Sequence, residues 1–210
     1  DTLELFETGG AGVMWNWTGP NNFSASFQNP FIVNVQPNAS GVYIVTVTDA
    51  NGCTNTGSIT IMVTATPTVN QPANQVVCNG NLTATVNFTG TPNGTLFRWT
   101  NNTPSIGLAA NGMGNIAAFT AINTGNTPVI ATVTVTPEYT ENGITCFGTS
   151  KSFTITVNPT PTVADPPDQN LCAGQPTAAV NFTGTPTGVV FKWTNNPSSI
   201  GLAAAGMGNI

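Results

Sequence analysis

The chain has 210 residues, and only 5% of them are charged, against about 25% in an ordinary soluble domain. Three basic residues (Arg98, Lys151 and Lys192), no histidine and a net charge of −5 argue against a nucleic-acid partner or a polybasic membrane contact, because nothing can neutralise a run of phosphates or anionic headgroups. A histidine-dependent catalytic triad cannot be assembled, and no apolar run reaches the roughly 18 residues that membrane insertion as a helix requires.

In chain order, "DTLELF" already reads as a strand, so the sequence is read as a piece of something longer. In "MWNWTGPNNF" Trp15 and Trp17 are two apart and share a face, and "GP" at Gly19 signals a turn. In "GVYIVTVTD" Tyr43, Val45 and Val47 share a face, and "NG" at Asn51 follows. In "SITIMV" Ile59, Ile61 and Val63 do the same. This is half-buried antiparallel strand, with Thr on the wet side where its β-branch favours extended backbone.

Next comes "TPTVNQP", a proline-rich stretch expected to be short and extended. Beyond it Ala84, Val86 and Phe88 alternate, and after the "GTPNG" turn Phe97 and Trp99 are expected to enter the same core, as the two arms of a hairpin. Arg98, between them, should face water. "SIGLAANGMGN" has too much Gly for a helix. Val129, Ala131, Val133 and Val135 alternate with Ile and Thr, "NG" at Asn142 marks a turn, and Phe153, Ile155 and Val157 alternate with Ser and Thr.

The chain then repeats itself. From Cys78 to Ile116 and from Cys172 to Ile210, 28 of 39 positions are identical at a constant offset of 94. "TPTV" at Thr66 recurs at Thr160, and Arg98 becomes Lys192. A period this long suits an autonomous domain in tandem rather than a solenoid unit. The expected organisation is a β-sandwich over residues 1–65, truncated at its N-terminus, a complete repeat over 66–159, and the truncated start of the next over 160–210. The expected core is Trp17, Tyr43, Phe88, Phe97, Trp99, Phe119, Phe182, Phe191 and Trp193.

"WTGPNNFSASFQNP…GVYIVTVTDANGC" resembles the immunoglobulin-like module, and "VCNG…VNFTGTPNGTLFRWTNN…TCFGTSKSFTITVNPTPTV" the PKD-like module, of very large surface proteins of the Bacteroidetes. The resemblance covers essentially the whole chain. It implies an all-β chain of tandem antiparallel β-sandwich domains in an extended array. It also implies a stalk or spacer role in a giant adhesin or filamentous appendage at the bacterial surface, exported by the type IX secretion route. No catalytic residues and no cofactor come with it. Partners would be neighbouring repeats, a homo-oligomeric bundle or filament, and a cell-surface or glycan ligand elsewhere in the full protein. Tyr43 stands where an immunoglobulin domain has its corner tyrosine, but Val45 stands where the inter-sheet cysteine would be.

Candidate sites are few. Low charge, abundant Thr and Asn, and four cysteines without C-x-x-C spacing suggest an extracellular chain with disulfides rather than a zinc site. Cys78 and Cys146, the two cysteines inside one complete unit, are expected to be bridged. Cys53 and Cys172 are expected to pair outside the fragment. Free buried thiols, or a Cys53–Cys78 bridge, are the alternatives. Asp165 and Asp168 lie in the second proline-rich stretch, where calcium could stiffen a joint, but Gln71 and Asn74 stand at the corresponding places in the first. Asp49 in "TDANGC" reads as a turn-former. Lys192 aligns with Arg98, so a Lys–Asn isopeptide staple is not expected. The "NFT" sequons at Asn87 and Asn181 read as incidental, and "DTL" at Asp1 is a weak O-glycosylation pattern with Thr2 as acceptor. Phe23 and Phe27, in the loop "NNFSASF", are the candidate ligand contacts of a rival reading, a glycan- or ligand-binding module. A spacer of a secreted polysaccharide hydrolase is the third.

Overall fold

The computed structural model of the protein describes residues 1–9, 14–196 and 198–210. Two compact units are present: Asp1–Asn70 with Thr89–Phe97 and Thr136–Ser150, and Gln71–Phe88 with Arg98–Val135 and Lys151–Ile210.

The first 61 residues hold two layers. One pairs β1 (Thr2–Glu4) with β4 (Phe31–Val33). The other has the order β3-β2-β5-β6, built from β2 (Met14–Gly19), β3 (Phe23–Ala25), β5 (Gly41–Thr48) and β6 (Thr54–Ile61), all antiparallel. The alternation read from the sequence sets the faces: Trp17 lies opposite Val45, and both are buried with Tyr43 and Leu5, while Leu3, Trp15, Phe23 and Ile32 pack around them. The Tyr43 hydroxyl donates to Ala39 O at 2.8 Å, so this buried ring carries no orphaned polar atom. Ile59 shares that face, lying opposite Tyr43, yet it is 50% exposed.

The strands between residues 75 and 158 form one larger sheet. It has the order β7-β12-β10-β8-β9, formed by β7 (Gln75–Cys78), β8 (Leu96–Asn101), β9 (Asn111–Met113), β10 (Val129–Glu141) and β12 (Lys151–Asn158), with β11 (Ile144–Phe147) folded back on the end of β10. β7 joins β12 in parallel, whereas β10 pairs with β11 and β12, and β8 with β9, antiparallel. Ala131, Val133, Val135, Phe153, Ile155 and Val157 all turn into the core, as the period of two requires. Asn142 and Gly143, both at positive φ, form the two-residue turn from β10 to β11.

Two expectations need correcting. Val86 and Phe88 are buried, but Ala84 is exposed, and the stretch is no arm of a hairpin. Val86 bridges Ile116, while β8 lies between β10 and β9. The "GTPNG" segment therefore carries the chain from one layer of the sandwich to the other. Alternation fixes which face a residue presents, not which strand lies beside it.

In the second copy β13 (Lys192–Thr194) pairs with β14 (Ala205–Met207), Trp193 opposite Gly206, as β8 pairs with β9, Trp99 opposite Gly112. A Cβ at either glycine would overlap the tryptophan ring, which is why "NGMGN" and "AGMGN" keep glycine there. Of the expected core, Trp17, Tyr43, Phe88 and Trp99 are buried, while Phe97, Phe119, Phe182, Phe191 and Trp193 are half-buried.

Candidate functional site

What recurs in the structure at the sequence offset is a set of polar braces. Gln75 clamps Ala84 through both ends of its amide, Oε1 accepting from Ala84 N at 2.9 Å and Nε2 donating to Ala84 O at 3.1 Å. Gln169 does the same to Ala178 at 2.8 and 3.0 Å. Asn115 Oδ1 accepts from Phe88 N at 2.9 Å, and Asn209 Oδ1 from Phe182 N at 3.0 Å. Asn101 donates to Leu108 O at 3.0 Å, and Asn195 to Leu202 O at 3.1 Å. The proline-rich stretches belong to the same scheme. Thr68 and Asn70 donate their N–H groups to Thr91 O and Thr89 O, and Thr162 and Ala164 donate to Thr185 O and Thr183 O. "TPTV" is thus hydrogen-bonded into its own repeat and does not hang as a loose linker. Composition alone shows only that Thr and Asn are abundant. The signal for their bracing role was available in the polar letters that stay identical at the offset of 94.

All four cysteines are free, which corrects the expected Cys78–Cys146 bridge. Cys78 lies beside Asn158, next to Val157, which opposes Val129 at the start of β10, whereas Cys146 opposes Tyr139 near its end. Ten residues of strand separate those positions on β10, about 33 Å at strand rise, far beyond the Cα spacing of about 7 Å that a disulfide spans. Cys53 and Cys172 are exposed thiols.

The remaining candidates are placed as follows. Asp49 is a turn brace: its Oδ1 accepts from Asn51 N at 2.8 Å and Cys53 N at 2.9 Å. These backbone bonds, Cys53's foremost, hold its carboxyl below the usual aspartate value. Asp165 and Asp168 are exposed, and among the described residues no three His, Cys, Asp or Glu side chains gather as metal ligands. Arg98 and Lys192 are both exposed. Phe23 packs edge-on against Tyr43, with ring centres 5.5 Å apart, whereas Phe27 is 54% exposed.

One concave feature was not legible in the sequence. A cavity of about 840 Å³ lies between the run Glu4–Gly9 and strand β6, with an apolar floor of Leu5, Trp17, Val45, Val47, Ile59 and Ile61. The run beside it is pinned: Gln28 Nε2 donates to Glu7 O at 3.1 Å, Asn29 Oδ1 accepts from Glu7 N at 3.0 Å, and Trp15 Nε1 donates to Glu7 Oε2 at 3.2 Å. Glu4, Glu7 and Asp49 line the cavity, and no Lys or Arg does.

Comparison with known proteins places the architecture. No family model and no curated protein matches the chain. Solved structures do. A three-domain stretch of titin is 14% identical over 93% of this chain and 74% of its own length, with a TM-score of 0.50. The three N-terminal domains of the outer capsid protein Hoc of bacteriophage RB49 are 14% identical over 76% of this chain and 65% of theirs, with a TM-score of 0.44. The insect immune protein hemolin is 16% identical over 76% and 43%, with a TM-score of 0.42. At such identities the likeness is one of fold alone: the chain is an all-β protein of immunoglobulin-like architecture.

Proposed function

We propose that this chain is a structural segment of a cell-surface adhesin or filamentous appendage, divided into domains at residues 1–65, 66–159 and 160–210, whose repeats supply reach. The observation that carries the reading is the recurrence of the same side-chain-to-backbone braces 94 residues on. Gln75 and Gln169, Asn101 and Asn195, and Asn115 and Asn209 hold equivalent backbone atoms. Polar identity has gone into reproducing a shape rather than into a site. The strand length gives the increment: β10 has 13 residues, which span about 40 Å at strand rise, so each repeat adds a length of that order. A chain with only 5% charged residues suits an extracellular setting and lateral contact between copies, since Lys, the usual guard of sheet edges, is nearly absent. The giant surface proteins that the sequence resembles, and their export by the type IX route, fit the same reading.

The test is an in-frame duplication of residues 66–159. Small-angle scattering of the longer chain should show a maximum dimension greater by about 40 Å. An unchanged maximum dimension would sink the spacer role.

A further inference from the structure

Strands β7 and β12 are the first and last strands between residues 75 and 158, yet they lie side by side and run the same way, from Ile155↔Gln75 to Asn158↔Cys78. Side chains carry the pairing past both ends of this ladder. Before it, Gln71 Nε2 donates to Ser152 O at 2.8 Å, and Asn74 Oδ1 accepts from Thr154 N at 2.8 Å. After it, Asn79 N donates to Asn158 O at 2.8 Å and Asn79 Nδ2 to Thr160 Oγ1 at 3.0 Å. On its other side β12 is held by β10, from Val129↔Val157 to Val135↔Lys151, and its Phe153, Ile155 and Val157 are buried. The direction of the strands decides what tension does to them. Chain leading to the N-terminus leaves β7 at the Gln75 end, and chain leading to the C-terminus leaves β12 at the Asn158 end. In a parallel pair these are opposite ends of the ladder. Tension along the chain therefore slides the two strands past each other and loads their bonds together. In an antiparallel pair the same tension would enter at one end and open the bonds one by one.

We propose that the β7–β12 pair, with Gln71, Asn74 and Asn79, is a shear clamp that bears tension carried along the chain. Its strength depends on direction, being high when the load comes through the two chain ends and low when the strands are drawn apart from one side. The proposal rests on the spacer reading, because a stalk is what tension reaches, but length and directional strength are separate properties. A chain that lengthens on duplication of residues 66–159 and shows no directional strength keeps the spacer role and loses the clamp.

The experiment pulls the full chain, with Cys53, Cys146 and Cys172 changed to Ser, in two geometries at one loading rate by single-molecule force spectroscopy. In the first, the handles sit at the two chain ends. In the second, one handle is on the exposed Cys78 thiol, at the Asn158 end of the ladder, and the other is at the C-terminal end. The step is recognised by its contour gain, about 300 Å end to end and about 290 Å from Cys78. The end-to-end unfolding force should be at least about twice the force from Cys78, because bonds loaded together raise the barrier to forced unfolding more than bonds loaded singly. Gln71→Ala with Asn74→Ala, both at exposed positions, should lower the end-to-end force by at least about a third. The same pair should leave the Cys78 force unchanged, since its bonds lie at the far end of the ladder from that handle. Equal forces in the two geometries overturn the proposal, as does a variant that weakens both pulls alike or neither.

Discussion

Asn101 shows how a chain with so few charges holds its backbone. It is buried, its amide donating to Leu108 O at 3.0 Å and its carbonyl oxygen accepting from Thr103 N at 3.0 Å. Asn101→Ala strands both backbone groups, and the complete repeat should lose about 2–3 kcal/mol, measured as a shift in denaturant midpoint. Tyr43→Phe leaves Ala39 O without its donor inside the first sandwich and should cost about 1–2 kcal/mol by the same measurement. Burial raises the Tyr43 hydroxyl above its ordinary value of 10.0. Its contribution is therefore complete below pH 10 and should fade as pH climbs through the higher folded value. Asp49 behaves in the opposite sense: its carboxyl is held below the ordinary 3.8, so its contribution is present above that pH and should vanish as pH falls through the folded value. Thermal melts between pH 2 and 7 should show that acid loss in the parent and lack it in Asp49→Asn. At this scale alternation named Tyr43 and Trp99 as core and put Phe153 on the dry face of its strand, all three of which are buried, but it put Ile59 and Ala84 inward as well, and these are exposed. The braces were hidden because an Asn that clamps a backbone and an Asn that faces water are the same letter.

At the scale of elements, β10 and β12 follow from alternation and the turn from β10 to β11 from Asn142-Gly143, while the partners of other segments do not. Val86 and Phe88 were read as paired with Phe97 and Trp99, but the chain crosses to the other layer between them. The cysteines misled for a related reason: spacing within a unit says that two thiols share a domain, not that they share an end of it. Cys78→Ser with Cys146→Ser should leave the unfolding free energy within about 0.5 kcal/mol, as exposed or strand-end positions without a bridge do. A drop of several kcal/mol would show a bond between them. Gly112 gives a sharper element-level prediction. Its neighbour across the strands is the Trp99 ring, so Gly112→Ala must push the ring or part β8 from β9, at about 1–3 kcal/mol. Intrinsic tryptophan fluorescence should report the displaced ring.

For the whole molecule, the sequence supplied the period, the fold class and the strand-rich texture, because all three are written in repetition and alternation. The groove of the first sandwich was not legible: nothing in "SITIMV" says how many strands lie across from Ile59. The account rests on each repeat being the same independently folding unit, fixed by the same braces. Single-molecule stretching of the chain with residues 66–159 duplicated tests this most directly. A 94-residue repeat extends to at most about 340 Å and is about 40 Å long when folded, so the account predicts two separate unfolding steps of equal contour gain, each about 300 Å. One merged step, or two of unequal size, would contradict it.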